Sequence, residues 1–427
     1  MHTSTIGLRR GSAARTATSA ACALLFGTLA ACDSLLEVEN PGAVQAEDLE
    51  NPALAPTIVN GALGQFECAY TSYVASTSVL ASETINSSSW LNINGWGWRG
   101  LELETITGSC PGGRNATGLG AYTPLQQAVY LTSEGSRLIE GFPDEAVPDK
   151  EEMLGLLAAY GGLAHVLLAE GFCEMTIDQG PIIPLSEVLG MAEAKLTDAM
   201  ARAQAAGNTD LALMAQAGRA RARLDLGQLE DAYADAAAIP PGFVWNAEYS
   251  SIDGVRENRM YNLNVFNRYI SVDPVRYGSV MIDASPDPRV PAEDSGLPGH
   301  DGATAHWYQL KYPSPASPIP MASWAEAKLI MAEARLAEAE AHIDELRASQ
   351  GLAPLGLTGG ETNAELLDIV LEERRRQLFL EGHRLNDMLR HDLEFPTGVN
   401  HKGQAYGPIT CMPLPEQEKR ANPNIPS

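Results

Sequence analysis

Ala220-Arg221-Ala222-Arg223-Leu224-Asp225-Leu226-Gly227-Gln228-Leu229-Glu230-Asp231-Ala232 is the stretch whose reading decides the fold. Small and apolar residues recur through it at helical spacing, and Gly227 interrupts them where a helix C-terminus would need a left-handed residue. The stretch is therefore a helix, a one-glycine turn and another helix. Working outward, residues 151–170, 186–206, 210–226 and 228–238 form four helical segments with short Gly- or Pro-marked breaks. Their alanine-rich faces let neighbouring helices approach closely.

The Gly227 turn resembles that of a tetratricopeptide repeat, which predicts a helical solenoid packed on itself. Helical spacing also marks residues 57–83 and 122–142, then 321–348, with Ala325, Leu329, Ala332 and Leu336 on one face, and 362–390. Residues 239–320 break the pattern: Pro, Gly, Asp, Tyr and Trp are frequent and no 3.6 period persists. A short hairpin is expected near Phe243-Val244-Trp245. The fold class is mostly α, a tetratricopeptide-like helical scaffold with a loop-rich, minor-β lobe.

Composition narrows the function. The 427 residues carry 54 Asp+Glu against 29 Lys+Arg, a net charge of −25, and three of those arginines (Arg9, Arg10, Arg15) lie in an acid-free N-terminal segment. Such a surface repels phosphate backbones, so no nucleic acid is expected as a partner. The apolar run from Ala20 to Ala31 falls short of a bilayer span and follows a basic segment, the anatomy of a signal peptide. It ends in Leu29-Ala30-Ala31-Cys32, which resembles the lipobox of bacterial lipoproteins and makes Cys32 the expected lipidation site. Several acyl chains there would anchor the protein to a membrane, which a single chain does only marginally. Residues 1–31 are thus read as signal peptide, 32–56 as anchor and acidic tether, and 57–427 as one domain.

Beyond Cys32 the four cysteines Cys68, Cys110, Cys173 and Cys411 allow three pairings in a disulfide-permissive compartment. The Gly/Pro/Asn-rich surroundings of Cys110 suggest a loop pinned to the Cys68 segment, leaving Cys173 with Cys411. No C-x-x-C spacing exists, so no structural zinc is expected.

If residues 362–390 form one helix, Leu367, Leu371, Arg374, Leu378, Glu381, Leu385 and Leu389 share a stripe. Its two charged members, Arg374 and Glu381, stand two turns apart and are expected to share a buried polar network with a structural role. Three further runs accompany this region: Ala325-Glu326-Ala327-Lys328-Leu329-Ile330-Met331-Ala332-Glu333-Ala334, Ile343-Asp344-Glu345-Leu346-Arg347, and Leu366 through Leu378 with Glu381-Gly382-His383-Arg384. With Met412-Pro413-Leu414-Pro415, Glu418 and Asn422-Pro423-Asn424, they are similar to the C-terminal signature of the SusD/RagB family of outer-membrane nutrient-binding lipoproteins. The resemblance implies a tetratricopeptide-like scaffold, mainly residues 122–238 and 321–392, and a ligand lobe at about 84–121 and 239–320. It also implies a cell-surface lipoprotein that captures oligosaccharide or a similar nutrient for a SusC-like TonB-dependent barrel and performs no chemistry. The alternative reading is a periplasmic tetratricopeptide scaffold that binds other proteins.

A sugar offers apolar C–H faces flanked by hydroxyls, so its site needs aromatic platforms beside planar hydrogen-bonding groups. Trp90, Trp96 and Trp98, interleaved with Asn92 and Asn94 and followed by Arg99, are the first candidates. The competing reading is that these rings plug the gap between the N-terminal helices and the lobe, or contact the transporter. Trp245, Tyr249, Tyr261, Asn262, Asn264 and Tyr269 form a second set, and Trp307, Tyr308 and Tyr312 a third; Trp324 opens a helix and His383 lacks a partner histidine, so both read as core. No Gly-x-Ser-x-Gly, His-Glu-x-x-His or Walker-type motif occurs, and no Gly-x-Gly-x-x-Gly follows an expected strand. Neither an enzyme nor a cofactor or metal is expected.

Overall fold

The computed structural model describes residues 49–101, 103–110, 118–278, 280–282 and 285–425. The expected signal peptide, Cys32 and residues 33–48 of the expected tether lie outside them, while the tether's last residues already form structure. Asn51 caps the short turn Pro52–Leu54 by accepting the Ala53 N–H at 3.1 Å, and the chain then enters α1 (Ala55–Leu80) with Pro56 in its first turn. From Phe66 onward every residue of α1 is buried, which makes it the axis of the molecule. After β1 (Thr84–Asn86) and α2 (Leu91–Gly97) come the repeat helices α3 (Tyr122–Gly141), α4 (Lys150–Gly171), α5 (Leu185–Ala206), α6 (Thr209–Asp225) and α7 (Leu229–Ala237). Gly227, at φ +73°, makes the turn between α6 and α7 read from the sequence.

Helix α4 is long and apolar enough to cross a membrane, yet most of it is buried as a core helix. Close approach explains how. A Cβ on Gly161 would lie 2.7 Å from Thr132 Oγ1 of α3, and one on Gly162 would lie 2.6 Å from Leu196 Cγ of α5. Two adjacent glycines therefore let α4 be pressed between its neighbours, gaining dispersion contacts that side chains would prevent.

The second half of the chain supplies β2 (Val244–Ala247), β3 (Ile270–Val272), β4 (Met281–Ile282), β5 (Ser285–Pro286), β6 (Ala292–Pro298), β7 (Ala305–Gln309) and β8 (Ile319–Ser323). Among the described residues they form four antiparallel two-stranded ladders: β1–β3, β2–β8, β4–β5 and β6–β7. The expected local hairpin at Phe243-Val244-Trp245 is corrected here: β2 pairs with the distant β8, Val244 facing Ser323. Residues 321–348 likewise are not one helix. Met321 lies in β8, Ser323 caps α8 (Trp324–Ala334) by accepting the Glu326 N–H, and a 3-10 turn separates α8 from α9 (Ala339–Ser349). Disulfides join Cys68 to Cys110 and Cys173 to Cys411.

Residues 362–390 also divide, into α10 (Asn363–Gln377), opened by a Thr362/Glu365 capping box, and α11 (Arg384–Arg390). Between them Leu380 (φ +57°) and Gly382 (φ +88°) take left-handed conformations that end the helix. The turn is fixed to α1: Glu83 Oε1 accepts the Leu380 N–H at 2.9 Å, and the Tyr70 hydroxyl lies 3.0 Å from Glu381 O. Arg374 and Glu381 are therefore not on one helical stripe. Both are buried, but Arg374 pairs with Asp387 while Glu381 accepts Lys311 Nζ at 2.6 Å.

Burial pushes the Glu83 carboxyl up to about 7, against the lowering effect of the Leu380 N–H and nearby cations. A carboxyl whose folded pKa is raised stabilises the fold below its unfolded value and loses that contribution as pH climbs through the folded one. Glu83→Gln, which keeps an oxygen for Leu380, is expected to flatten the fall in urea-unfolding midpoint between about pH 5 and about pH 8. Parallel profiles for parent and variant would contradict this.

Candidate functional site

Three loops wall a cavity of about 670 Å³ that includes Ser88, Asn94, Asp301, Thr304, His401 and Lys402 in its lining. The first loop leaves β1 and runs into α2, the second joins β6 to β7, and the third lies in the C-terminal tail. Long-range hydrogen bonds hold them in place. His401 Nε2 meets Asn86 O at 2.7 Å, Lys402 Nζ donates to Ser88 O at 2.6 Å, and the Asp301 N–H donates to Ser87 O at 3.0 Å. Ser87 Oγ and the His300 N–H both donate to Arg268 O. A Cβ on Gly299 would lie 2.4 Å from Ser87 Cβ, so only glycine permits the first two loops to approach this closely. In the third loop Asn400 Oδ1 accepts the N–H groups of Lys402 and Gln404.

The cavity sets polar groups among apolar surface from Ile85, Pro274, Ala303 and Ala305 and is not strongly charged. Lys402 Nζ sits 2.7 Å from Asp301 Oδ2, so its one lysine and one aspartate neutralise each other. Burial raises the Asp301 carboxyl, but hydrogen bonds from Lys402, the Thr304 hydroxyl and the Thr304 and Ala303 N–H groups outweigh it and hold it well below the usual carboxylate range. Burial, with Lys402 nearby, lowers the His401 imidazole despite the opposing Asn86 carbonyl. A neutral ring donating through Nε2 leaves Nδ1 as its acceptor. Amide, hydroxyl and imidazole groups thus provide both donors and acceptors on one wall set. Among the described residues no group of His, Cys, Asp or Glu could hold a metal ion.

Of the sequence candidates no aromatic ring lines this cavity, but Trp90 neighbours lining residues along the chain. It follows the lining residues Ser88 and Ser89, its N–H donates to Ser88 Oγ, it is 46% exposed, and its ring stacks on His300 at 6.0 Å. Its companions are corrected. Trp96 is fully buried at the base of α2, and Trp98 is half-buried with its ring so close over Gly100 that a Cβ there would lie 1.9 Å from it. Arg99 is buried too, donating to Pro396 O and lying over the rings of Phe395 and Tyr406 at 5.3 and 5.0 Å. Arg99 and the Trp98 carbonyl, which accepts the Gly407 N–H at 2.7 Å, fasten the end of α2 to the C-terminal tail.

The second set does not gather into a surface. Trp245 Nε1 donates to the Tyr160 hydroxyl, Tyr249 donates to Glu67 O, and Tyr269 is buried edge-on to His300. Asn264 bonds Ile270 O, Trp307 O and the Gln309 N–H, tying β3 to β7, Asn262 donates to Glu257, and Tyr261 opens a π-helical turn, half-buried. In the third set Tyr312 is buried with its hydroxyl on Leu380 O, Tyr308 meets His306 edge-on, and Trp307 packs behind the cavity against Gly278, on the turn that carries Pro274. Trp324 and His383 are buried. Sequence reading missed His300, Asp301, Thr304, His401, Lys402 and Gln404. Asp301-Gly302 and Lys402-Gly403 were legible as turns, but nothing local brings two turns 100 residues apart into one cavity.

Residues 323–425 match the family model described as the SusD family. No curated protein matches the chain by sequence. Solved structures share its fold: a SusD-like protein from Bacteroides fragilis aligns over 90% of this chain and 98% of its own at 12% identity and TM-score 0.63. A SusD-like carbohydrate-binding protein, also from Bacteroides fragilis, covers 82% and 98% at 15% identity and TM-score 0.52. A third structure, with xylogluco-oligosaccharide, covers 86% and 97% at 12% identity and TM-score 0.62.

Proposed function

We propose that this chain, which carries the SusD family signature in residues 323–425 on the fold of SusD superfamily proteins, binds neutral oligosaccharide without chemistry and passes it to a TonB-dependent barrel. The observation that carries the reading is the exposed Trp90, which follows the cavity-lining Ser88 and Ser89 in the chain and stacks on His300, the neighbour of lining Asp301. The ring covers an apolar sugar face, and the cavity's paired donors and acceptors replace the water around sugar hydroxyls. Internal neutralisation of Lys402 by Asp301 favours an uncharged ligand, and the net charge of −25 disfavours an anionic one. The fold shared with a carbohydrate-binding protein and with a structure containing xylogluco-oligosaccharide supports the same class. Lipidation at Cys32 would place the protein in the outer membrane facing the cell surface, with a SusC-like barrel as its partner.

Titration of the intact protein with cellohexaose, maltoheptaose and a xylogluco-oligosaccharide tests the binding. Trp90→Ala is expected to weaken affinity about tenfold, the share of one aromatic platform, while leaving the unfolding midpoint unchanged. No affinity for any neutral glycan would remove the reading. Affinity capture from solubilised outer membrane tests delivery: recovery of a large barrel supports it, and recovery of periplasmic proteins alone favours the scaffold alternative.

A further inference from the structure

A second cleft, of about 320 Å³, lies away from the three loops, along the exposed face of α3. Tyr122, Gln126 and Tyr130 follow one another at four-residue intervals on that helix and line it with Gln127, Gln179 and Glu418. Tyr130 is 57% exposed. The deeper groups are already ordered. Gln126 Nε2 donates to Thr176 O at 2.7 Å, the Tyr122 hydroxyl meets Thr176 Oγ1, and Thr176 in turn donates to Glu418 Oε1 at 2.9 Å.

The opposite lip is a strained turn. Asp178 and Gln179 are consecutive non-glycine residues in the left-handed region, at φ +51° and +56°. Such a pair persists only where its surroundings over-determine it, and strain of this kind concentrates at binding positions. Here the C-terminal tail does the holding: Asn422 Nδ2 donates to Gly180 O at 2.9 Å and Asn424 Nδ2 to Gln179 O at 2.8 Å, while Asn422 also bonds Glu418. The Asn422-Pro423-Asn424 motif therefore has a structural task, which is to keep Gln179 opposite the α3 face.

We propose that this cleft is a second subsite for neutral oligosaccharide, separate from the Trp90 cavity, with the Tyr130 ring as platform and the Gln126, Gln127 and Gln179 amides as its polar wall. The proposal rests on the carbohydrate reading and adds a place and a residue set to it. A primary amide carries donors and an acceptor in one plane, the match to neighbouring hydroxyls of a sugar; with Gln126 Nε2 held by Thr176 O and Met175 Sδ and Gln127 Oε1 accepting from Gln65 Nε2, Gln126 presents its oxygen, Gln127 its Nε2 and Gln179 its whole amide. Asp178 and Glu418 at the cleft disfavour anionic polymers, and among the described residues no arginine or lysine lines it.

The test titrates the intact protein with cellohexaose, maltoheptaose and a xylogluco-oligosaccharide in four forms: parent, Trp90→Ala, Trp90→Ala/Tyr130→Ala and Trp90→Ala/Tyr130→Phe. Expected is residual binding in Trp90→Ala that falls at least about tenfold in the Tyr130→Ala double variant and returns with phenylalanine, whose ring serves the same C–H face. Binding undisturbed by Trp90→Ala but abolished by the added Tyr130→Ala also supports the subsite, and makes it the principal one. Residual binding indifferent to Tyr130, or no residual binding once Trp90 is gone, overturns the subsite and leaves the carbohydrate reading standing. A parent protein that binds none of the probes overturns both.

Discussion

Arg374→Ala is expected to lower the unfolding free energy by about 3–5 kcal/mol, because it strands buried carboxylates whose charge the guanidinium balances. Arg374 Nε lies 3.0 Å from both oxygens of Asp387, Nη2 approaches Oδ1 at 2.9 Å, and Glu333 Oε2 is 3.6 Å from Nε. Asp387 and Glu333 are shared with Arg390, which also pairs with Asp225 of α6, and His391 adds a contact to Glu333 at 3.0 Å. One network thus joins α6, α8, α10 and α11. Against desolvation, Arg374, Arg390 and the His391 hydrogen bond hold the Glu333 carboxyl well below the usual range. Urea titration checks the magnitude. A double-mutant cycle checks the partner: Arg374→Ala with Asp387→Ala should cost clearly less than the sum, whereas Arg374→Ala with Glu381→Ala should add to within about 0.5 kcal/mol. Coupling to Glu381 instead of Asp387 would reject the pairing.

Trp96→Ala is expected to cost about 3–5 kcal/mol, the range for emptying a large aromatic site in a packed core. Its ring is among the largest fully buried side chains, set where α2 packs against α1 and β1. The same helix carries Asn94, which accepts a hydrogen bond from Asn86, so the variant should also loosen one wall of the Trp90 cavity and weaken sugar binding. The contrast with Trp90 is the informative part. Six residues apart in a segment of uniform composition, one tryptophan should move the unfolding midpoint and the other the affinity. An unchanged midpoint for Trp96→Ala would mean the ring is not core.

That contrast marks where local information stops. Trp90, Trp96 and Trp98 lie within nine residues of one another among small and polar residues, and a seven-residue helix cannot reveal which face the rest of the protein will cover. Arg374 shows the same limit: its burial follows from the apolar stripe around it, but its partner depends on where the chain turns after Gln377. Leu380 and Gly382 make that turn, and Leu380 carries no residue-type signal for a left-handed conformation, since its strain is supported by Glu83 and Tyr312 from elsewhere in the chain.

By itself the sequence determined the helical scaffold, because 3.6-residue periodicity and the Gly227 turn are local properties of helices that bury one face. It determined the charge that repels polyanions, and the ordered C-terminal runs that resemble one family. Only the tertiary structure decided which aromatic ring meets solvent, which acid holds Arg374, that β2 pairs with β8, and that loops near residues 88, 301 and 402 enclose one cavity. Those outcomes rest on contacts between segments tens to hundreds of residues apart, whose energies come from burial and exclusion of water at the meeting point. No periodicity within either segment encodes them.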